Sequence, residues 1–333
     1  MEINGHTEIM GIGGYVPQQK VKSTHLMEEL GSMRRFGVKE TFISDIIGIE
    51  ERRVAQEQEK PSDMAIRASV IAMKNAGISG KDIGLVIFCG IDRDWQEPST
   101  AHRVQNKIGA TSAACFDVTN ACHGFINGLS IADAMIAAGS VEVALVCTGE
   151  KPSIVMYDAL SRLQRSSDRA DLKRWIGGLT VGDAGGAILL QASDRSGGFL
   201  KFKMESLGEF AELCYYKHTE NGIEGQMHMS EISDCMIRYH KEMIAATYEN
   251  LLWSAGEVDH LVCHQVGKRP HKKMARLANV SIDKAPVTYR MYGNITSATV
   301  PVNLHFNPPR KGDKVLILGA GSGISISQTG MIF

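Results

Sequence analysis

The sequence predicts an α/β protein made of two similar halves. Short apolar runs have the length and composition of buried strands, and helical stretches fall between several of them. These runs lie at 7–16, 83–90, 114–118, 141–149 and 184–191. The chain of 333 residues is 44% hydrophobic and 22% charged, which is a globular composition long enough for a large core.

The same helix, glycine and strand order occurs once in each half. In the first half, the stretch 62–77 predicts a helix because Met64, Ala68, Ile71 and Ala72 share one stripe, with Pro61 at its start and Gly77 just past its end. In the second half, a helix over 233–253 precedes a strand over 258–263. Helix followed by strand is common in α/β proteins, so the repeat alone is a weak sign of duplication.

Two segments lack a clear period. Residues 150–183 are dense in Arg, Ser and Asp, and residues 208–232 mix Gly, His and Glu. We expect both to be insertions over the top of the sheets, by default solvated surface loops, with functional loops, a lid or a dimer contact as alternatives.

Bulk charge and cysteine usage exclude several classes of protein. A net charge of -1 gives no sign of a nucleic acid or an anionic membrane as partner. The apolar runs are far shorter than the roughly 20 residues of a membrane-spanning helix. Seven cysteines without C-x-x-C spacing, and a start that lacks signal-peptide character, predict a reduced, cytoplasmic protein.

Cys122 is the strongest candidate for chemistry. It follows the β-prone run 116–118 and precedes a small-residue helix over 124–139. Free amides and the positive end of a helix dipole favour a thiolate, with pKa values lowered from about 8.5 into the range of roughly 3.5 to 7.5. The alternative is a buried core cysteine. His264, where another apolar strand ends, and Asn294, in a glycine-containing loop, can converge with Cys122 on one pocket.

Motifs for nucleotides and metals fail. The glycine clusters 11–14 and 319–323 do not complete G-x-G-x-x-G, so no dinucleotide cofactor is expected. Four histidines do not pair with cysteines at zinc-ligand spacing, namely His102, His123, His271 and His305. We expect neither a cofactor nor a metal.

At this point the chain resembles the thiolase superfamily, and within it the β-ketoacyl synthase III type of condensing enzyme. Its motifs follow the family order: Ile12 to Pro17, Gly48 to Arg52, the segment around Cys122, His264-Gln265, Tyr292-Gly293-Asn294 and Gly319-Ala320-Gly321. The resemblance implies a five-layer αβαβα fold of two duplicated halves. Residues 1–195 would carry the nucleophile, and residues 196–333 would carry the histidine and the asparagine.

The resemblance also implies the roles of the site residues. Cys122, His264 and Asn294 would be the catalytic triad, and the amides of Cys122 and Ala320 would hold the oxyanion.

Departures from the pattern indicate a subgroup. Phe42, Ile46 and Gly267 replace the Trp, Arg and Asn of the synthases of primary fatty acid synthesis. The run Glu97-Pro98-Ser99-Thr100 instead resembles the OleA-type enzymes, which join two acyl-CoA molecules head to head. In that group the glutamate reaches across the dimer as general base, a role that would fall to Glu97. Alternatively, Glu97 merely precedes a helix capped by Ser99.

We therefore expect a Claisen condensation of two acyl-CoAs through acyl-Cys122, giving a β-keto acid or thioester without a cofactor. Partners would be acyl-CoA or acyl carrier protein, with a homodimer favoured over a heterodimer. One alternative is decarboxylative condensation with a malonyl thioester, which needs no base. Others are a cysteine hydrolase, since papain-like proteases share the order Cys, His, Asn, and a silent subunit of a condensing heterodimer.

Overall fold

The computed structural model describes residues 1–194, 197–220 and 222–333, and residue 218 by its backbone alone. The strands are β1 (Glu2–Asn4), β2 (Thr7–Tyr15), β3 (Gln19–Lys22), β4 (Glu51–Val54), β5 (Leu85–Cys89), β6 (Ala114–Val118), β7 (Val143–Glu150), β8 (Ala184–Ala192), β9 (Gly198–Ser206), β10 (Cys214–Thr219), β11 (Gly222–Met227), β12 (His260–Cys263), β13 (Lys314–Gly321) and β14 (Ser325–Ile332). The α-helices are α1 (Ser23–Leu30), α2 (Ser32–Phe36), α3 (Pro61–Ala76), α4 (Thr100–Lys107), α5 (Gly124–Ala137), α6 (Ser153–Gln164), α7 (Arg169–Trp175), α8 (Met229–Leu251), α9 (Lys268–Leu277), α10 (Tyr289–Tyr292) and α11 (Thr299–Phe306).

Two five-stranded sheets organise the molecule. The N-sheet has the order β2-β8-β7-β5-β6, and the C-sheet has the order β1-β9-β14-β13-β12. Strand β5 pairs in parallel with β6 and β7, and β12 pairs in parallel with β13, whereas the other neighbours are antiparallel. Strand β1 pairs with β9, so the first residues of the chain join the C-sheet. The predicted boundary between residues 195 and 196 falls on two residues outside the described part and stays a prediction.

The sheets and helices form five layers. Helices α5 and α11 lie between the two sheets, in one core with Ile87 and Val146 of the N-sheet and Val262 and Ile317 of the C-sheet. Helices α3 and α4 cover the outer face of the N-sheet. Helices α8 and α9 cover the outer face of the C-sheet. Both sheets therefore have apolar strands buried on two faces, which explains the continuous apolar runs in the sequence.

The predicted elements are confirmed within a few residues at their ends. All five predicted strands of the first half are present as β2, β5, β6, β7 and β8. Helix α3 begins at Pro61 and ends before Gly77, which adopts a left-handed conformation with φ of 70°. Helix α8 and strand β12 repeat this order in the second half.

The prediction of surface loops over 150–183 and 208–232 is wrong. Residues 153–164 form α6, whose Met156, Leu160 and Leu163 are buried against a second core that includes Leu26 of α1. That apolar spacing is helical, but the Arg, Ser and Asp residues of the exposed face concealed it. Residues 208–232 contain a short helical turn, the β10–β11 hairpin and the start of α8.

The hairpin forms a two-stranded sheet of its own, separate from both large sheets. We call residues 208–237 the cap. In the described part of the chain, no helix is both long enough and apolar enough to cross a membrane.

Candidate active site

One cavity brings together the predicted nucleophile, histidine and asparagine. Cys122, His264, Asn294 and Ala320 all line it, and with its open mouth it encloses about 830 Å³. Its other walls are mostly apolar. They come from the cap, α8 and α9, with Cys214, Met227, Met229, Ile232, Met236, Ile237, Val266, Pro270 and Met274.

Glu97 is not brought to this cavity within the chain. It is exposed in the segment between β5 and α4 and does not line the cavity. Its predicted role therefore requires a second chain or a movement of this segment.

Cys122 lies two residues before the start of α5. The turn is tight, since Ala121 has φ of 48° and the amides of His123 and Gly124 donate to Asn120 O at 3.0 Å and Ala121 O at 3.1 Å. Those amides are therefore already bonded within the turn. Burial raises the pKa of the Cys122 thiol, with smaller contributions from Glu150 and Cys214.

The expectation of a resting thiolate is therefore wrong. Burial disfavours the charged form more strongly than the helix start favours it. Cys122 rests as a neutral thiol and needs a base to become a nucleophile.

His264 lines the same cavity as Cys122. It follows β12, and burial together with nearby His123 lowers the pKa of its imidazole to about 4. Thr299 Oγ1 lies 3.4 Å from His264 Nδ1 and donates its own proton to Thr296 O at 2.8 Å. Thr299 can then only accept from Nδ1–H, so the hydrogen-bond pattern assigns the free lone pair to Nε2.

Asn294 is held with its amide group available. Its backbone N–H donates to Thr180 O at 2.9 Å and its backbone carbonyl accepts from Gly182 N at 3.1 Å. Its side-chain Oδ1 accepts from Thr296 N at 3.0 Å. Because Oδ1 is fixed by that bond, Nδ2 is the group left to donate to a ligand.

The turn at the end of β13 closely approaches the nucleophile segment. A Cβ on Gly321 would lie 2.7 Å from the backbone nitrogen of His123, and one on Gly319 would clash with Ser327 Oγ. Glycine is therefore required at both positions. This approach brings Ala320 to the cavity that Cys122 lines, where its oxyanion role stays a prediction.

Sequence reasoning missed the residues of the cap. Cys214 is a second thiol in the cavity, and burial raises its pKa as well. The methionines at 227, 229 and 236 were the available signal, because Met at short spacing is typical of adaptable apolar binding surfaces. Reading 208–232 as a loop concealed them. Among the described residues, no group of three or more His, Cys, Asp or Glu could hold a metal ion.

Two segments of the chain match one known protein family. Residues 116–208 match the family of 3-oxoacyl-[acyl-carrier-protein] synthase III, and residues 249–330 match the C-terminal domain of that family. The chain is 31% identical to an acyl-CoA:acyl-CoA alkyltransferase of Xanthomonas campestris over 90% of both chains. It is 30% identical to a β-ketoacyl-[acyl-carrier-protein] synthase III of Halalkalibacterium halodurans over 95% of both chains.

Solved structures agree. Cerulenin-bound OleA of Xanthomonas campestris superimposes with a TM-score of 0.92 at 26% identity, covering 99% of this chain and 98% of that one. A cysteine-to-serine variant of OleA with bound lauric acid and lauroyl-CoA gives a TM-score of 0.91 at 26% identity, covering 99% and 100%. Further OleA structures carry substitutions of a histidine and of a glutamate.

Proposed function

We propose that this chain, which belongs to the 3-oxoacyl-[acyl-carrier-protein] synthase III family, joins two acyl-CoA molecules through an acyl-Cys122 intermediate. It has the thiolase-like five-layer fold that the sequence predicted. The relatives transfer acyl groups and form carbon–carbon bonds, so the chain is an acyl-transferring condensing enzyme. A cysteine hydrolase finds no support in these relatives.

One observation carries the choice of two acyl-CoAs. Solved structures of OleA include substitutions of a cysteine, a histidine and a glutamate. There the histidine follows the cysteine at the same separation as His264 follows Cys122 here. The glutamate precedes the cysteine at a separation within one residue of that between Glu97 and Cys122.

The first half-reaction is acyl transfer to the thiol. His264 Nε2 takes the proton of Cys122, whose sulfur attacks the thioester carbonyl, and the amides of Cys122 and Ala320 hold the oxyanion. The carbon–sulfur bond to CoA then breaks, and the departing CoA sulfur takes the proton from His264, so that CoA leaves as the thiol. The acyl group remains on Cys122, and His264 returns to its neutral form.

The second half-reaction forms the carbon–carbon bond. The carbonyl oxygen of a second acyl-CoA accepts a hydrogen bond from Asn294 Nδ2, and Glu97 removes the α-proton. The enolate carbon attacks acyl-Cys122, the carbon–sulfur bond to Cys122 breaks, and the departing sulfur takes the proton that Glu97 removed. The product is a β-keto thioester, or the β-keto acid after hydrolysis. No cofactor is needed.

An anionic thioester carrier fits the mouth of the cavity. Helix α9 presents Pro270 and Met274 to the cavity. On its exposed face it presents Lys268, Arg269, Lys272 and Arg276. This arrangement supports binding of the phosphates of CoA, or of an acyl carrier protein, beside an apolar acyl site.

A homodimer would bring Glu97 of one chain beside its partner chain. Strand β6 is an edge of the N-sheet, and its Phe116 and Val118 are only half-buried. Asp117 of β6 accepts from the amides of Thr100 and Ala101 at 2.8 Å, which ties the segment carrying Glu97 to this edge. Pairing of β6 with the same strand of a second copy would cover the edge and close a symmetric dimer. Glu97 would then stand beside the partner.

Mixed dimers test the base. Glu97→Ala and Cys122→Ala homodimers should both fail to condense two acyl-CoAs, whereas their mixed dimer should regain one working site. Glu249→Ala, at an exposed glutamate on α8, is the matched control and should condense normally. If mixed dimers form and stay inactive, Glu97 does not act in trans. If the Glu97→Ala homodimer is fully active, it is not the base.

Decarboxylative condensation is the second candidate, because synthase III relatives are similar to the chain at 28–30% identity. In that reaction loss of CO₂ creates the enolate and Glu97 has no task. A product that forms only with malonyl-CoA or malonyl carrier protein would select it. The seven free cysteines fit a reducing compartment, which supports a cytoplasmic location.

A further inference from the structure

Glu150 is a buried acid that the mechanism above does not use. It ends β7, and its carboxyl group accepts from the backbone N–H of Ile91 at 3.2 Å and of Asp92 at 3.4 Å. On its other side it bonds Ser297 Oγ. In the described part of the chain, no lysine or arginine forms an ion pair with it. Its partners therefore belong to two separate segments, 91–99 and 294–299.

The segment 294–299 orients two of the groups that the proposed mechanism uses, Asn294 within the segment and His264 beside it. Thr296 N fixes Asn294 Oδ1, and Thr299 Oγ1 accepts from His264 Nδ1. Ser297 lies between these two threonines and bonds Glu150. Its hydroxyl also contacts Thr148 Oγ1 at 2.7 Å and Cys89 O at 3.3 Å. The bond to Glu150 therefore fixes the turn that orients both Asn294 and His264.

The segment 91–99 carries Glu97. Ile91 and Asp92, at its root, bond Glu150, and Asp92 Oδ2 accepts from the backbone N–H of Lys151 at 2.7 Å. Beyond this root, Asp94 accepts from Ser62 N at 3.0 Å and from Arg103 Nη1 at 2.9 Å. The start of the segment that carries exposed Glu97 is therefore fixed by hydrogen bonds, and Glu150 accepts those of Ile91 and Asp92.

We propose that Glu150 is a positioning residue that joins the segment 294–299, which contains Asn294 and contacts His264, to the segment of Glu97 and so sets the geometry of the condensation step. The part of this proposal that concerns Glu97 rests on the proposed function. Glu150 acts through its neighbours and touches no substrate. Its loss should impair carbon–carbon bond formation, which uses both segments, more than acylation of Cys122.

The protonation of Glu150 indicates which substitution should preserve its positioning role. Burial, and then the charge of Asp92, raise the pKa of Glu150 to about 8. The other titratable groups that face it are the thiols of Cys89 and Cys122. Its carboxyl oxygens accept from Ser297 Oγ–H and from the N–H groups of Ile91 and Asp92, and burial favours the neutral acid, which also has a proton to donate. A glutamine offers the same donor and acceptor.

The test compares Glu150→Gln, Glu150→Ala and Ser297→Ala with the wild type. Acyl-Cys122 is measured by mass spectrometry, and condensed product is measured per acylated chain. Asp133→Ala is the control, because Asp133 is also fully buried but bonds His6 N and Thr7 Oγ1 away from the cavity. Glu150→Ala and Ser297→Ala should lower condensation per acylated chain on the order of 10²-fold, as expected for misplaced reacting groups, with a smaller loss of acylation, which uses neither Asn294 nor Glu97. Glu150→Gln should condense near the wild-type rate.

Three results would overturn the proposal. Glu150→Ala could condense like the wild type, or it could lose both half-reactions equally as Asp133→Ala does, which would show a general structural role. Glu150→Gln could fail as completely as Glu150→Ala, which would show that the charge itself is required.

Hydrogen exchange separates this proposal from the proposed function. Glu150→Ala should speed amide exchange in both 91–99 and 294–299, whether or not a condensed product is found with any acyl-CoA. Unchanged exchange in either segment would contradict the proposed link. Failure of the wild type to condense acyl-CoAs, with exchange altered as expected, would instead count against the proposed function alone.

Discussion

The two walls of the active-site cavity are built in different ways. The wall of Cys122, His264, Asn294 and Ala320 comes from the turns that follow β6 and β12, from the end of β13 and from the turn between α10 and α11, and hydrogen bonds fix these turns. The opposite wall comes largely from the cap, whose hairpin belongs to neither sheet and whose lining is rich in Met.

The difference separates two tasks. Reacting groups must be held within a fraction of an ångström, which rigid strand ends provide. An acyl chain offers no polar group to recognise, so soft, unbranched side chains can adapt to it. We infer that the strand-end wall determines whether the reaction occurs and that the cap wall determines which acyl chains react.

The strongest test of the strand-end wall removes its thiol. Cys122→Ala should abolish acylation and condensation, because no other nucleophile is activated by His264. The matched control is Cys214→Ala, which removes the second thiol of the same cavity and should still be acylated. Mass spectrometry of the acylated protein decides. An acyl group found on Cys214, Cys89, Cys115, Cys147 or Cys263 would contradict the mechanism.

The next test separates the roles of Asn294 and His264. Asn294→Ala should reduce condensation on the order of 10²- to 10³-fold, as loss of one oxyanion donor typically does, and leave acylation measurable. His264→Ala should reduce acylation, and condensation with it, because burial keeps Cys122 protonated and we propose that His264 takes its proton. Single-turnover rates of the two steps are the measurement. Acylation unaffected in His264→Ala would show that another group takes the thiol proton.

A change in the cap should have a smaller and different effect. Met236→Phe places a larger, stiffer side chain in the apolar wall, and we expect the preferred acyl chain to become shorter. Discrimination between chains should change by roughly tenfold, the scale of one or two methylenes in an apolar pocket. Met33→Phe, at an exposed methionine of α2, is the control. An equal loss with every chain length would mean that the cap also positions the reacting groups.

The smallest expected effect is on the pH dependence. The pKa of His264 is lowered to about 4, so acylation should stay nearly constant as the pH falls through 6.5, where an exposed histidine would titrate. The same shift affects stability. Folding favours the neutral ring, so this contribution is full above pH 6.5 and is lost as the pH falls toward 4. Acylation rates and thermal unfolding between pH 4 and 8 measure both. An acid limb centred near pH 6.5 would contradict a buried, neutral His264.

Much of the fold could be predicted because local sequence patterns in the first half of the chain indicate its strands and helices. The strands of the N-sheet are continuous apolar runs, and α3 has both a proline at its start and a glycine at its end. Helix α6 was missed because its exposed face dominates the composition of 150–183. The cap was missed because its hairpin is short and its apolar side chains face a cavity instead of the core.

The sequence indicated which side chains would meet in one cavity but not the electrostatics of that cavity. The positions of Cys122, His264 and Asn294 at element ends could be read from the sequence, and one cavity brings them together. The direction of the Cys122 pKa shift could not be predicted from the sequence, because it depends on chain segments far away in sequence, including those of Cys214 and Glu150. The link through Glu150 likewise joins residues that only the folded chain brings into contact.

The most direct test of the central claim uses lauroyl-CoA as the sole substrate. The purified protein is incubated with it, without any malonyl thioester, and the products are identified by mass spectrometry with a ¹³C label in the acyl chain. Our account predicts a β-keto product that contains two labelled acyl chains and is absent with Cys122→Ala. Release of free lauric acid alone, or a condensed product only after malonyl thioester is added, would contradict it.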